Sequence, residues 1–231
     1  MFIGHYGVAL AAKRVAPRTS LGALFVAVQL LDVIFCVLVF AGIEKLRIVP
    51  GFTQVTPYDL MLVSYSHSLA GAVLWAAAAA LAFGLAGAGV GDEKGAKAKK
   101  ARVVAALVLG GAVLSHFLLD YPMHVPDLPL GFEPDSPKVG LGLWNQIDVT
   151  LALEIGILVA GGALYVGATS PREGKSGATL LVGGVLLVIA AATPFVPPPA
   201  DATAFIWQAL GAYVVLALAA EWMDRSRERA A

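Results

Sequence analysis

Residues 115–124 read Ser-His-Phe-Leu-Leu-Asp-Tyr-Pro-Met-His, two imidazoles and a carboxylate closing an apolar run. His116 and Asp120 are four apart, which puts both on one face of a helix about a turn from each other. Pro122 is predicted to end that helix, leaving His124 on the bend and free to turn back towards the same point. These are residue types that hold zinc; a His–Asp hydrogen bond capping a helix end uses the same residues. Three more ionisable residues, Asp32, His67 and Glu154, lie within apolar stretches. A charge at the centre of a bilayer costs about 2.5–3.5 kcal/mol or more, so such groups face a bundle interior and pair there. At about 1.5 Å of rise per residue, Asp32 is about 21 Å along a helix from Arg18, and His116 is equally far from Arg102. The chain has 4 histidines, and His5, His67, His116 and His124 can all be placed in or beside this one cluster.

The elements that must position these groups are membrane helices. The chain has 231 residues, 58% hydrophobic and 14% charged, with a mean hydropathy of +0.79. A soluble domain carries nearer a quarter charged residues, so the fold class is all-α, a polytopic membrane bundle forming one domain over residues 1–231. The formal net charge is +0, which offers nucleic acid no basic field. Cys36 is the lone cysteine; a disulfide framework and a thiolate zinc site are excluded, leaving His and carboxylate as metal ligands. The basic cluster Lys13, Arg14, Arg18 leads into an apolar run without a small-residue cleavage site, the pattern of a retained span.

Six spans are predicted, at residues 21–43, 60–88, 103–119, 147–167, 178–192 and 204–222. The first is interrupted by Gln29 and Asp32, and the second carries Ser64, Ser66, His67 and Ser68 in its first third. Between them lie a polar connection at 44–57, a Lys-rich loop at 91–102, the long connection 120–146 and a Pro-rich turn at 194–199. All of the 16 Lys and Arg except Lys45, Arg47 and Lys138 fall on one side of this arrangement. The positive-inside rule therefore puts both termini inside and His67, Asp120 and His124 in the outer half of the membrane. Residues 2–16 are too short to span. They form either an amphipathic surface helix with His5 in solvent or a re-entrant hairpin buried in protein, which would bring His5 towards Asp32. Gly110-Gly111 and Gly161-Gly162 read as helix-packing contacts. Walker, dinucleotide and nucleophile-elbow motifs are absent from the sequence.

An N-terminal His5, Asp32 in the next helix, Ser66-His67, and Ser115-His116 with Asp120 follow in an order that resembles the bacterial membrane-bound metal-dependent hydrolase family (YdjM-like). That family is similar in ligand order to zinc-dependent phospholipase C and the S1/P1 nucleases, helical enzymes whose three zinc ions cleave phosphate esters. The order His, Asp, His, His-x-x-x-Asp, His is matched through His124. The final His-x-x-x-Glu is missing; Trp144-Asn145-Gln146-Ile147-Asp148 and Glu154 stand where it would fall. The resemblance covers roughly residues 1–154, leaves the last two spans without a counterpart, and implies about one or two metals rather than three. It also implies a bacterial inner membrane.

The expected chemistry is hydrolysis by a metal-activated water at a divalent ion, zinc or alternatively manganese. His116 and Asp120 are expected as ligands, with His67 and Asp32 completing one site. His5 or His124 would hold a second ion, with Asp120 bridging. Asp148 and Glu154 are candidates for a further ligand or the general base. Position in the membrane suggests membrane lipid as partner and a lipid or lipid-linked phosphate as substrate. A transporter or proton-coupled permease using intramembrane Asp and His is the first alternative, and a non-catalytic scaffold is the second.

Overall fold

The computed structural model describes residues 2–86, 95–175 and 177–230. Its helices are α1 (Gly4–Ala12), α2 (Leu21–Val28), α3 (Leu30–Phe40), α4 (Leu69–Ala86), α5 (Gly95–Met123), α6 (Ile147–Ala168), α7 (Gly177–Ala192) and α8 (Ala202–Arg225). Three two-stranded antiparallel ribbons join their ends. They are β1 (Lys45–Ile48) with β2 (Tyr58–Leu62), β3 (Leu128–Pro129) with β4 (Lys138–Val139), and β5 (Thr169–Pro171) with β6 (Arg227–Arg229). Among the described residues five helices are long and apolar enough to cross a membrane, and α2 with α3 makes a sixth if the bent pair is one span. The chain is thus mostly helical, with membrane-spanning dimensions.

Expectation and structure agree on α6, α7 and α8 to within three residues at each end. The region 60–88 is different. Tyr58–Leu62 pairs with Lys45–Ile48, Arg47 opposing Asp59, so the first part of that stretch is a strand and the connection 44–57 is half of a hairpin. Helix α4 begins only at Leu69. Ser68 explains the delay, because its short hydroxyl competes for backbone groups. Ser68 Oγ donates to the Ser64 carbonyl at 2.6 Å and accepts the Gly71 amide at 2.9 Å, capping the helix start. His67 therefore sits in a turn and not inside a helix.

Helix α5 is longer than the predicted 103–119. Residues 95–102 of the Lys-rich segment are its first turns, while 91–94 lie outside the described residues. Pro122 does not end it. Proline lies in the last turn, and the His124 amide still bonds to the Asp120 carbonyl at 2.9 Å. His116, Asp120 and His124 therefore form one stripe at i, i+4 and i+8. The predicted first span is broken at Gln29, whose backbone (φ −109°, ψ 7°) leaves the helical region, and α2 and α3 meet at a 54° bend.

The N-terminal helix α1 is buried in the bundle, against α2, α5 and α6, with His5 fully enclosed. The surface-helix alternative is not what forms. Gly7 and Gly161 let α1 and α6 cross so closely that a Cβ on either would overlap the other helix's backbone. Gly110 likewise receives Ala76 and Ala80 where α5 crosses α4, and the Ala-rich face of α4 lets the two lie close. One continuous core runs through Ile3, Tyr6, Leu10, Leu24, Phe25, Val113 and Leu216.

Candidate metal centre

Each imidazole reaches the centre from a different element. His5 comes from the first turn of α1. That turn is held by Glu154 on α6, whose carboxylate accepts the Phe2 amide at 2.9 Å and the Gly4 amide at 2.5 Å. An anion here also suits the positive end of the helix dipole. Gln29 Nε2 donates to the Phe2 carbonyl at 3.1 Å, so the residue at the α2–α3 bend fixes the same segment. The bend then puts Asp32 on the first turn of α3, with the rest of the site arriving from the β2–α4 turn and from α5.

The four Nε2 atoms converge on two carboxylates. His5 Nε2 is 3.3 Å from Asp120 Oδ1, and His116 Nε2 is 3.1 Å from Asp120 Oδ2 and 3.6 Å from Asp32 Oδ1. His67 Nε2 is 3.2 Å from Asp32 Oδ1 and 3.9 Å from Asp120 Oδ2; His124 Nε2 is 3.6 Å from Asp120 Oδ2. The His5 and His116 rings stack at 4.0 Å. All four histidines and Asp120 are buried, while the Asp32 side chain keeps 21% of its surface, facing a cavity. Two overlapping trios, His5–His116–Asp120 and Asp32–His67–His116, each bring one ligand atom per residue within 4.8 Å of the others.

The opposite ring nitrogens carry the sharper information. His116 Nδ1 lies 2.7 Å from the Val28 carbonyl at the helix bend, and a carbonyl only accepts, so this nitrogen bears the proton. His124 Nδ1 lies 3.0 Å from Asp127 Oδ1. Ser66 Oγ donates to Glu44 Oε2 at 2.6 Å, which leaves its lone pair to accept from His67 Nδ1 at 2.8 Å. Glu44 is held in turn by the Tyr65 and Ser66 amides at 2.8 and 2.9 Å. In the neutral form of these three rings the proton is on Nδ1, so Nε2 is a lone pair aimed at carboxylate oxygens. A carboxylate or carbonyl behind the ring is how metal-ligating histidines are oriented.

Lone pairs facing lone pairs repel unless a cation stands between them. Imidazolium protons are one remedy, but four cations around two aspartates, two of them stacked at 4.0 Å, exceed what the carboxylates neutralise. His116 Nε2 and both ring nitrogens of His5 are buried and make no hydrogen bond, an outcome that proteins avoid for polar groups without a ligand. The donor set is nitrogen and oxygen only, the chemistry of Zn²⁺ or Mn²⁺ rather than of a thiolate site. The residues present therefore fit a divalent ion.

The expected residues do not all arrive together. His5, Asp32, His67, His116, Asp120 and His124 share the centre. Glu154 lines the adjoining cavity, but its oxygens are taken by the two backbone amides, which gives it a structural task. Asp148 is exposed on the first turn of α6 and lies away from the cavity wall. Three participants had no such reading. Asp127 follows His124 by three, a spacing that could have flagged it. Glu44 is a lone acid just past an apolar run. Tyr213, whose hydroxyl donates to Asp32 Oδ2 at 3.0 Å, comes from α8 and leaves no local signal.

A mostly helical bundle of membrane dimensions holding a buried His/Asp cluster able to bind a metal is the class of protein this geometry defines. Comparison with protein-family models, with curated proteins and with solved structures finds no match to the chain.

Proposed function

We propose that this chain is a membrane-embedded metal-dependent hydrolase acting on a phosphate ester. The observation that carries the reading is the set of Nε2 atoms turned inward by partners on their Nδ1 atoms. The order of these ligands, resembling that of the YdjM-like membrane hydrolases, supports it. In this reading six spans run with both termini inside a bacterial inner membrane, and the centre lies in the outer half.

His116, Asp120, Asp32 and His67 would hold one divalent ion, with His5 and His124 available to a second. Such an ion lowers the pKa of a bound water towards about 7, supplying a nucleophile at neutral pH. The water oxygen adds to phosphorus, the bond from phosphorus to the alcohol oxygen breaks, and that oxygen leaves with a proton. Glu154 is engaged by amides and Asp148 lies outside the cavity, so neither takes part in the proton transfer, and Asp32 serves among the ligands. Tyr213 donates to Asp32 Oδ2 and leaves Oδ1 directed at His67 and His116.

One observation favours hydrolysis over an ion path. Along α1 and α2, between the centre and the opposite end of the bundle, lie Leu10, Leu24 and Phe25, all buried and apolar. On these two helices that stretch offers an ion no polar side chain. The test is hydrolysis of bis-p-nitrophenyl phosphate by metal-loaded protein in detergent. Turnover abolished by a chelator, restored by zinc or manganese and lost in Asp120→Asn is expected. Metal-loaded, folded protein that leaves phosphate diesters and monoesters intact would contradict the proposal.

A further inference from the structure

Beside the centre lies a cavity of about 310 Å³. At its inner end are Asp32, His67, Asp120 and His124. The outer wall is a different material: Val196, Pro197 and Pro198 from the turn after α7, and Phe205, Ala209 and Ala212 from α8. Tyr58 and Leu60 of β2 face them, and the Tyr58 and Phe205 rings meet at 4.7 Å. The flank of this wall is apolar and exposed at Phe195 and Trp207, so it is continuous with surface suited to lipid. The residues from Val196 to Ala212 come from the C-terminal helices, outside the part of the chain that carries the metal ligands.

The charge of the lining is as informative as its polarity. Its ionisable residues are Asp32, Asp120, Glu154, His67, His124, Tyr58 and Tyr213; Lys and Arg are missing among the described residues of the wall. Sites for diphosphates and nucleotides surround the extra anionic oxygens with Arg, Lys or helix-terminal amides. The side-chain donors of the wall are neutral ones, such as Tyr58, Thr193 and Gln208, and part of the metal's charge is already offset by two aspartates. A cavity of this volume is also at the low end of the about 300–1,000 Å³ range of ligand pockets, enough for a head and one chain.

Resting on the hydrolase reading of the same centre, we infer that the occupant is a single-chain amphiphile whose head carries one negative charge, a phosphodiester in form. The head lies at Asp32, His67, Asp120 and His124, and the chain lies along the wall built by Pro197, Phe205, Ala209 and Ala212. Specificity for the apolar part thus belongs to the C-terminal helices and reaction to the N-terminal ones.

The experiment is equilibrium binding to metal-loaded protein in lipid nanodiscs, with empty nanodiscs as the reference. Four probes separate chain from charge: dodecyl methyl phosphate, dimethyl phosphate, didodecyl phosphate and dodecyl diphosphate. A buried methylene is worth about fourfold in affinity. Dodecyl methyl phosphate is therefore expected to bind about tenfold or more tightly than dimethyl phosphate, and also more tightly than the two-chain and diphosphate probes. In Ala209→Phe and Ala212→Phe, each shown to retain its metal, the advantage over dimethyl phosphate shrinks, whereas partition into empty nanodiscs stays as it was. Equal binding of dimethyl phosphate, a preference for the diphosphate or the two-chain probe, or a chain advantage that survives both variants would overturn the inference. No turnover is read in this assay. Failure of hydrolysis and failure of chain recognition are therefore separate results.

Discussion

The two ends of the bundle bury charge by opposite means. At one end Lys13 Nζ donates to Asp224 Oδ2 at 2.7 Å and to the Thr19 carbonyl at 2.8 Å. Arg227, also buried there, gives its protons to the Thr169 hydroxyl and carbonyl, both at 2.7 Å, and to the Thr179 hydroxyl at 3.0 Å. Donors meet acceptors, and that end is closed by protein alone. At the other end four inward-facing Nε2 atoms gather on two aspartates, with the Tyr213 hydroxyl donating to Asp32. A cation pair such as Lys13–Asp224 is a fastener; an excess of acceptors is a site. Composition does not distinguish these, since both ends are charged and buried. The balance of donors does.

The comparison breaks most completely at the ligands. His116→Ala combined with Asp120→Ala should bring metal content to background, while Lys13→Met should leave it unchanged; elemental analysis of both variants checks this. A smaller effect is expected one step behind the ligands. Glu44→Gln, which weakens the hold on Ser66 and His67, should lower metal affinity about 10–100-fold, measured by competition with a chromogenic chelator. The pH dependence has a definite sign. Protons compete with metal for every ligating Nε2, so affinity should fall as pH is lowered.

Lys13→Met sharpens the other half of the comparison. It leaves Asp224 without its cation and should cost about 1–3 kcal/mol of stability with no loss of metal, read as an earlier thermal transition. The smallest change is Tyr213→Phe. Losing one hydroxyl donor to Asp32 should weaken metal binding by about 0.5–1.5 kcal/mol, a shift of a few-fold in the same chelator titration.

Much of this was legible in residue order, because membrane helices announce themselves by unbroken apolarity and by what interrupts it. The apolar helices α6, α7 and α8 and the intramembrane candidates Asp32, His67 and His116 follow from that signal, whereas Asp120 and His124 come from the spacing after His116 and His5 is left between two placements. His67 was placed in the right cluster but on the wrong element. Strand β2 ends in Leu60-Met61-Leu62, so its apolar end runs towards helix α4 with the serine-containing turn between them. Pro122 is expected to stop α5, yet the His124 amide bonds the Asp120 carbonyl and carries the helical stripe past the proline, which itself leaves the Leu118 carbonyl without its amide. The bend at Gln29 is a tertiary effect: the Val28 carbonyl bonds His116, and Gln29 itself bonds Phe2, contacts that span 88 and 27 residues. Glu154 drew a catalytic reading because it is a buried acid. What it binds, two amides of α1, is visible only in three dimensions. Asp148 drew the same reading by proximity in sequence and sits apart in space.

The central claim is that the buried His/Asp cluster exists to hold metal. It is tested most directly by the metal content of the purified wild-type protein, measured by inductively coupled plasma mass spectrometry after chelator-free preparation. The account predicts about one or two zinc or manganese ions per chain, retained through gel filtration. A monodisperse, folded protein that contains no stoichiometric metal and takes up none when zinc or manganese is added would contradict it, and would leave the cluster as a set of His–Asp contacts holding the helices together.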